Sequence, residues 1–151
     1  MPVLPDDERF MRIALEEARI GLREGGIPIG SVLVIDGQVR GRGRNRRVQS
    51  HNPILHGETD CLQNAGRLKA ADYRRATLYT TLSPCDMCAG AILLYKIPRV
   101  VMAENRSFTG AEETLTRRGV ELVNLGSEEA VRMMQDFIRA QPQLWNEDIG
   151  L

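Results

Sequence analysis

The stretch Ser83-Pro84-Cys85-Asp86-Met87-Cys88 constrains this chain more than any other. It sets two of the three cysteines three positions apart, after a proline and before the apolar run 89–94. Proline suits the first turn of a helix, where the N–H it lacks would have no partner. Both thiols therefore belong to a helix start, where backbone N–H groups and the helix dipole favour negative charge. That setting lowers a thiol's pKa, and the thiolate is the form that binds metal. A third ligand has few sources, because the chain holds only two histidines, His51 and His56. His56 opens the string His56-Gly57-Glu58, with a carboxylate two residues beyond the imidazole. His56, Cys85 and Cys88 read as three ligands of one zinc, which leaves the fourth tetrahedral position to water, as a catalytic zinc requires. Glu58 reads as the acid–base group beside that metal.

Other readings of the cysteines stand beside this one. A thioredoxin-like redox pair accounts for Cys-x-x-Cys but predicts no His-x-Glu upstream. A closed structural zinc site would need Cys61 as its fourth ligand. Cys61 lies five residues after His56, and a helix turns its side chain well away from that of His56. It reads as an ordinary buried thiol. His51 sits among Ser50, Asn52 and Pro53, a turn composition, and reads as a surface histidine.

Twenty basic and twenty acidic residues leave zero formal net charge. That balance argues against a protein whose affinity comes mainly from neutralising phosphates. A length of 151 residues suits one domain, and 42% hydrophobic with 26% charged residues is a globular composition. Three cysteines, two of them assigned to metal, make no disulfide framework. The opening Met1-Pro2-Val3-Leu4-Pro5-Asp6-Asp7 is acidic and lacks the apolar core of a signal peptide. No apolar run approaches membrane-spanning length. The expectation is a single cytoplasmic domain, 1–151, acting on a small molecule without nucleic-acid or membrane partners.

Along the chain, Asp6 or Asp7 is expected to cap a helix with the stripe Met11, Leu15, Ala18 and Leu22, ended by Gly25-Gly26. Residues 29–35 read as a strand, closed by the hairpin signal Asp36-Gly37 and followed by a glycine-rich return strand, 39–45. Glycines inside a strand mark close approach of another segment. Pro53 leads into a helix bearing His56, Glu58 and Leu62 and stopped at Gly66, with a loop after it. Strands are expected at 77–82, 99–103 and 120–125, and helices at 85–95, 112–118 and from Ser127 to about Gln141. Met133, Met134, Phe137 and Ile138 in the last of these read as core. Helix, hairpin, then alternating helices and strands make an α/β domain, with helices on both faces of a mixed sheet. The sheet is expected antiparallel at the hairpin and parallel beyond it. Arg40, Arg42, Arg44, Arg46 and Arg47 form one basic cluster. With no interleaved aromatics and no net charge, it reads as a solvated strand and turn rather than a nucleic-acid contact.

His-x-Glu followed by Pro-Cys-x-x-Cys is also the signature of the zinc-dependent nucleobase deaminases, and the likeness extends further. Leu55-His56-Gly57-Glu58, the run from Tyr79 to Cys88, and the tail Trp145-Asn146-Glu147-Asp148-Ile149-Gly150 resemble the fungal-type cytosine deaminases. Asn64-Ala65-Gly66-Arg67-Leu68, Ile97-Pro98-Arg99 and Glu104-Asn105 add to the match, which runs through nearly all of the chain. The resemblance implies the cytidine-deaminase-like fold, a three-layer α/β/α sandwich around a mixed five-stranded sheet. It also implies a homodimer, one zinc per subunit, and hydrolysis of cytosine to uracil and ammonia in pyrimidine salvage. By the same resemblance, Asn45 pairs with the pyrimidine N1/O2 edge and the Gly57 N–H faces O2. Ser83 lines the pocket, Phe108 and Trp145 form its aromatic walls, and Asp148 receives the exocyclic amine. The tail, 142–151, closes the site. Arg44, Thr59 and Asp60 depart from the fungal pattern, which carries histidine at the first position and Ile-Ser at the other two. Three rival functions stand beside this one: deamination of another ring (purine base, pterin or creatinine-like), of adenosine in tRNA, or a module whose zinc only holds the fold.

Overall fold

The computed structural model describes residues 2–151. Its elements run α1 (Asp7–Arg23), β1 (Gly30–Ile35), β2 (Gln38–Arg44), α2 (Gly57–Ala65), α3 (Ala70–Tyr73) and β3 (Ala76–Thr80). They continue with α4 (Asp86–Tyr95), β4 (Arg99–Met102), α5 (Glu112–Arg117), β5 (Glu121–Asn124), α6 (Glu128–Ala140) and α7 (Pro142–Asp148). The strands form one five-stranded sheet in the order β2-β1-β3-β4-β5.

Strand periodicity divides the core into two layers. Leu33, Ile35, Leu78 and Val100 point to one face, where they meet Cys61 of α2, Ala89 and Ile92 of α4 and Leu115 of α5. Val32, Val34, Tyr79, Val101 and Val123 point to the other, against Phe10, Met11, Ala14 and Leu15 of α1 and Ala130 of α6. A sheet buried on both faces reads as near-continuous apolar runs, and β1 is buried at all six positions. The expected α/β/α layering and mixed sheet are present.

Three local expectations are corrected, and the tail takes a form the sequence reading left open. β1 pairs antiparallel with β3 as well as with β2, and the parallel pairs are β3–β4 and β4–β5. The cause is the crossover β2–α2–β3. It carries the chain over β1, so β1 lies between two strands that both run against it. Residues 70–73, expected as loop, form the short helix α3. The tail is itself helical, with Pro142 opening α7. Asp6 and Asp7 give α1 no side-chain cap at its Ncap. Asp7 is instead fully buried: Oδ2 accepts from the Leu4 N–H at 2.7 Å and Oδ1 from the Tyr79 hydroxyl at 2.8 Å. Arg99 of β4 grips both oxygens at 2.8 and 2.7 Å. A bidentate, charge-assisted pair of this kind is among the stronger polar contacts a protein makes.

The basic cluster is not a free solvated surface either. Arg42 and Arg44 pair with Glu17 of α1 at 2.8 Å, and Arg44 also meets Glu24 at 2.9 Å. Arg46 pairs with the buried Asp60 of α2 at 3.1 Å. The glycines of β2 do mark close approach. A Cβ on Gly43 would lie 2.3 Å from the Cys61 backbone nitrogen, and one on Gly41 would lie 2.9 Å from the Cys61 carbonyl. α2 therefore rests directly on the backbone of β2.

This topology brings several chain segments to one end of the sheet. The end of β2, the start of β1, and the ends of β3 and β4 are neighbours there, since Gly30 pairs with Arg44 and Ser31 with Thr80. In open α/β sheets ligands bind beyond the carboxyl ends of the strands.

Candidate active site

Two helix starts face each other at that end of the sheet. His56 is the Ncap of α2 and Cys85 the Ncap of α4, with Cys88 one turn further on. The His56 backbone N–H donates to the Thr59 hydroxyl at 2.9 Å, and that hydroxyl donates to the Ile54 carbonyl. Thr59 thus fixes the angle at which the chain enters α2. Pro84, directly before Cys85, accepts the Ala111 N–H through its carbonyl at 2.9 Å, which ties the start of α4 to the loop after β4.

The donor atoms of His56, Cys85 and Cys88 all lie within 4.8 Å of one another. His56 Nδ1 is 3.4 Å from Cys85 Sγ and 3.8 Å from Cys88 Sγ. Tetrahedral zinc with ordinary Zn–S and Zn–N bonds sets nitrogen and sulfur about 3.6 Å apart, so the trio fits the ion. The other imidazole nitrogen, Nε2, faces Asp148 Oδ1 at 3.3 Å. A carboxylate on the far nitrogen fixes the tautomer and orients the ring, as is usual for metal-bound histidine. Cys61 is buried with its sulfur 3.5 Å from the Gly41 carbonyl, outside the trio, and His51 is exposed.

The titrating groups polarise one another. Cys85 is held down to about 4, because the Cys88 S–H donates to it and His56 lies beside it, both outweighing burial. Cys88 is raised well above an ordinary thiol by the same donation and by burial. His56 is pushed up to about 10: burial opposes its charge, but Asp148 and Cys85 outweigh it. Glu58 is pushed up to about 7, chiefly by burial, with the negative charge of Cys85 adding to it. A carboxyl poised near neutrality can both take and return a proton.

Around this centre, Ile29, Leu82, Ser83, Phe108, Trp145, Asp148 and Ile149 line a cavity of about 20 Å³ beside His56, Glu58 and Cys85, and an open cleft of about 520 Å³ adjoins it along His56, Cys85, Phe108 and Asp148. Phe108 and Trp145 meet edge to face, 5.8 Å between ring centres at 83°. Asn45 is fully buried and donates through Nδ2 to Asp148 at 3.1 Å. Gly57 opens α2, and a Cβ there would press on Ser31 and Ile29 at 3.1–3.3 Å. The Ser83 hydroxyl is engaged with Glu112 and with the Gly110 N–H, so its carbonyl is what it can offer a ligand. The structure therefore brings all ten residues singled out from the sequence to one place. Sequence reading missed Thr59 as the residue that orients His56, and Glu112 as the group that holds Ser83. A threonine three residues after the Ncap was the available signal for the first.

Comparison with known proteins decides the family. The cytidine and deoxycytidylate deaminase zinc-binding region matches residues 4–104. The chain belongs to this deaminase family. It is 53% identical over 146 residues to a cytosine deaminase of Candida albicans, covering 96% of this chain and 97% of that one. It is also 37% identical over 149 residues to a tRNA-specific adenosine deaminase of Streptococcus pyogenes, covering 90% and 92%. A solved structure from work on tRNA:A34 deaminases superposes with a TM-score of 0.72 at 30% identity, covering 83% of this chain and 99% of that one. The family assignment and the trio agree on zinc, and this deaminase is a zinc-dependent hydrolytic enzyme.

Proposed function

We propose that the chain hydrolyses free cytosine to uracil and ammonia. The observation that carries this reading is the 53% identity to a cytosine deaminase over 96% of the chain. With the tail helix in place, the space beside Glu58 is about 20 Å³, room for about one water. A base needs more room than this, and a shift of α7 would join the space to the open cleft beside it. Asn45 donates to the Asp148 carboxylate, which ties the tail to the end of β2 beside the pocket.

Zinc held by His56, Cys85 and Cys88 supplies the Lewis acidity that makes water nucleophilic near neutral pH. Glu58 takes the proton of the attacking water and delivers it to ring N3, which makes C4 electrophilic. It then takes the second proton from the hydroxyl now on C4 and hands it to the departing amine, so one C–O bond forms, one C–N bond breaks, a carbonyl is left at C4, and ammonia departs. Asp148 accepts from the exocyclic amine, and Asn45 and the Gly57 N–H meet the N1/O2 edge. Phe108 and Trp145, packed on each other, form one aromatic wall against the ring, and Ser83 continues that wall. Removing water from the pocket strengthens each of these contacts.

Ammonia release from the zinc-loaded protein tests the reading, with cytosine, cytidine, adenine, guanine, pterin, creatinine and an RNA stem-loop as substrates. Turnover of cytosine with cytidine inert is expected. Turnover of another ring, or of the RNA alone, would refute it.

The remaining parts of the proposal are a single deaminase domain, cytoplasmic pyrimidine salvage, and a homodimer. Among the described residues, no helix is long and apolar enough to cross a membrane. Support for a dimer comes from α4, where Met87, Gly90, Leu94 and Tyr95 are exposed at helical spacing. Light scattering should give twice 16.9 kDa, and Leu94→Asp should give the monomer.

A further inference from the structure

Asp60, one of the departures from the fungal pattern, has a geometry that the chemistry above does not use. It lies in the first turn of α2 and is 1% exposed. Its Oδ2 accepts from the Arg44 backbone N–H at 3.0 Å, from Arg46 Nε at 3.1 Å and from Asn64 Nδ2 at 3.3 Å. These contacts bracket Asn45, gripping the residue before it by main chain and the residue after it by side chain. The bracket comes where the sheet stops helping, since the β1–β2 ladder ends at the pair Gly30 and Arg44. Beyond it, the Asn45 N–H donates to the Ile29 carbonyl at 2.9 Å, and Asn45 Oδ1 accepts from the Arg47 N–H at 3.0 Å. The amide is thereby turned so that Nδ2 points to Asp148 and the pocket. On the other side of β2, Glu17 and Glu24 hold the Arg44 guanidinium.

We propose that Asp60 is a positioning residue for base recognition: it fixes the Asn45 amide against the substrate edge without touching the substrate. The proposal rests on the pocket reading above. On that reading Asn45 meets N1 and O2 rather than the reacting C4, so loosening it weakens ground state and transition state alike, and the loss falls on KM.

A double-mutant cycle tests this. Asp60→Ala should raise KM for cytosine about tenfold, the scale of one lost hydrogen bond, with kcat within about threefold and the pH profile unmoved. In an Asn45→Ala background the same substitution should add no further rise. Equal rises in both backgrounds would overturn the proposal. Asp60→Asn, which keeps an acceptor for the Arg44 N–H, should recover most of the KM, and no recovery would count against the clamp. If Asp60→Ala does not fold, Arg46→Ala runs the same cycle from the outer side of the bracket. Solvent exchange of the Asn45 Nδ2 protons, assigned by their loss in Asn45→Ala, needs no substrate. Faster exchange in Asp60→Ala or Arg46→Ala supports the clamp, and unchanged exchange overturns it. Failure of the wild type to turn over cytosine would retire the substrate reading and leave this measurement to decide the role of Asp60.

Discussion

Replacing Gly43 with alanine tests whether the contact between β2 and α2 sets the metal geometry. The new Cβ would stand 2.3 Å from the Cys61 nitrogen, where ordinary contact begins at 3.4 Å. The clashing atoms are backbone, so no side chain can swing aside, and α2 must retreat by about 1 Å. Overpacking of this kind costs about 1–3 kcal/mol. At about 2–4 °C per kcal/mol for a chain of this size, the melting midpoint should fall by about 2–12 °C. Activity should suffer more. α2 carries His56 at its start and Glu58 within its first turn, and a displacement of about 1 Å can cost on the order of a hundredfold in rate. The assay is kcat for cytosine beside zinc content and a thermal melt, with Gly21→Ala in α1 as control because the nearest atom to a Cβ there stands 3.5 Å away, at ordinary contact. A Gly43→Ala protein with wild-type kcat and full zinc would refute the claim that α2 is seated by this strand.

Glu58→Ala should keep stoichiometric zinc and fold while losing about 10²–10⁴ in kcat; metal analysis beside the rate separates the two effects. Asp148→Ala should lower kcat/KM far more than it lowers the melting midpoint, because it frees both His56 and Asn45, and equal losses would return the tail to a packing role. Asp7 is held below the ordinary carboxylate range: burial pushes it up, but Arg99, the Leu4 N–H and Tyr79 outweigh that. A depressed folded-state pKa means its stabilisation is present above the usual aspartate range and is lost as pH falls through the folded value. Asp7→Asn should therefore lower the midpoint at pH 7 and flatten its decline in acid, whereas an unchanged acid slope would assign that decline elsewhere. Breaking a buried pair by removing one partner costs about 3–5 kcal/mol.

The site was legible because its chemistry is local in sequence. Pro84 sets a helix start, the thiols sit within its first turn, and His56 and Glu58 share another. The strands were legible for the same reason, as short apolar runs between turn residues. What escaped reading depends on partners distant along the chain. The antiparallel pairing of β1 with β3 follows from a crossover that leaps a strand, and nothing in residues 30–35 records it. Asp7 looked like a helix cap because its partners Tyr79 and Arg99 lie 72 and 92 positions away. The arginines of β2 looked solvated because Glu17, Glu24 and Asp60 approach them only after folding. Glycines 41 and 43 were the exception, since a missing side chain announces a close neighbour without naming it.

Trp145, packed edge to face on Phe108 over the pocket, is the only tryptophan of the chain. The protein thus carries one indole fluorophore, mounted on the helix proposed to shift when a base enters. Indole emission shifts to longer wavelength when the ring passes from a buried to an aqueous setting. Stopped-flow mixing of unlabelled protein with uracil would therefore record the opening and closing of α7 directly, and its rate could be set beside turnover to find which step governs it.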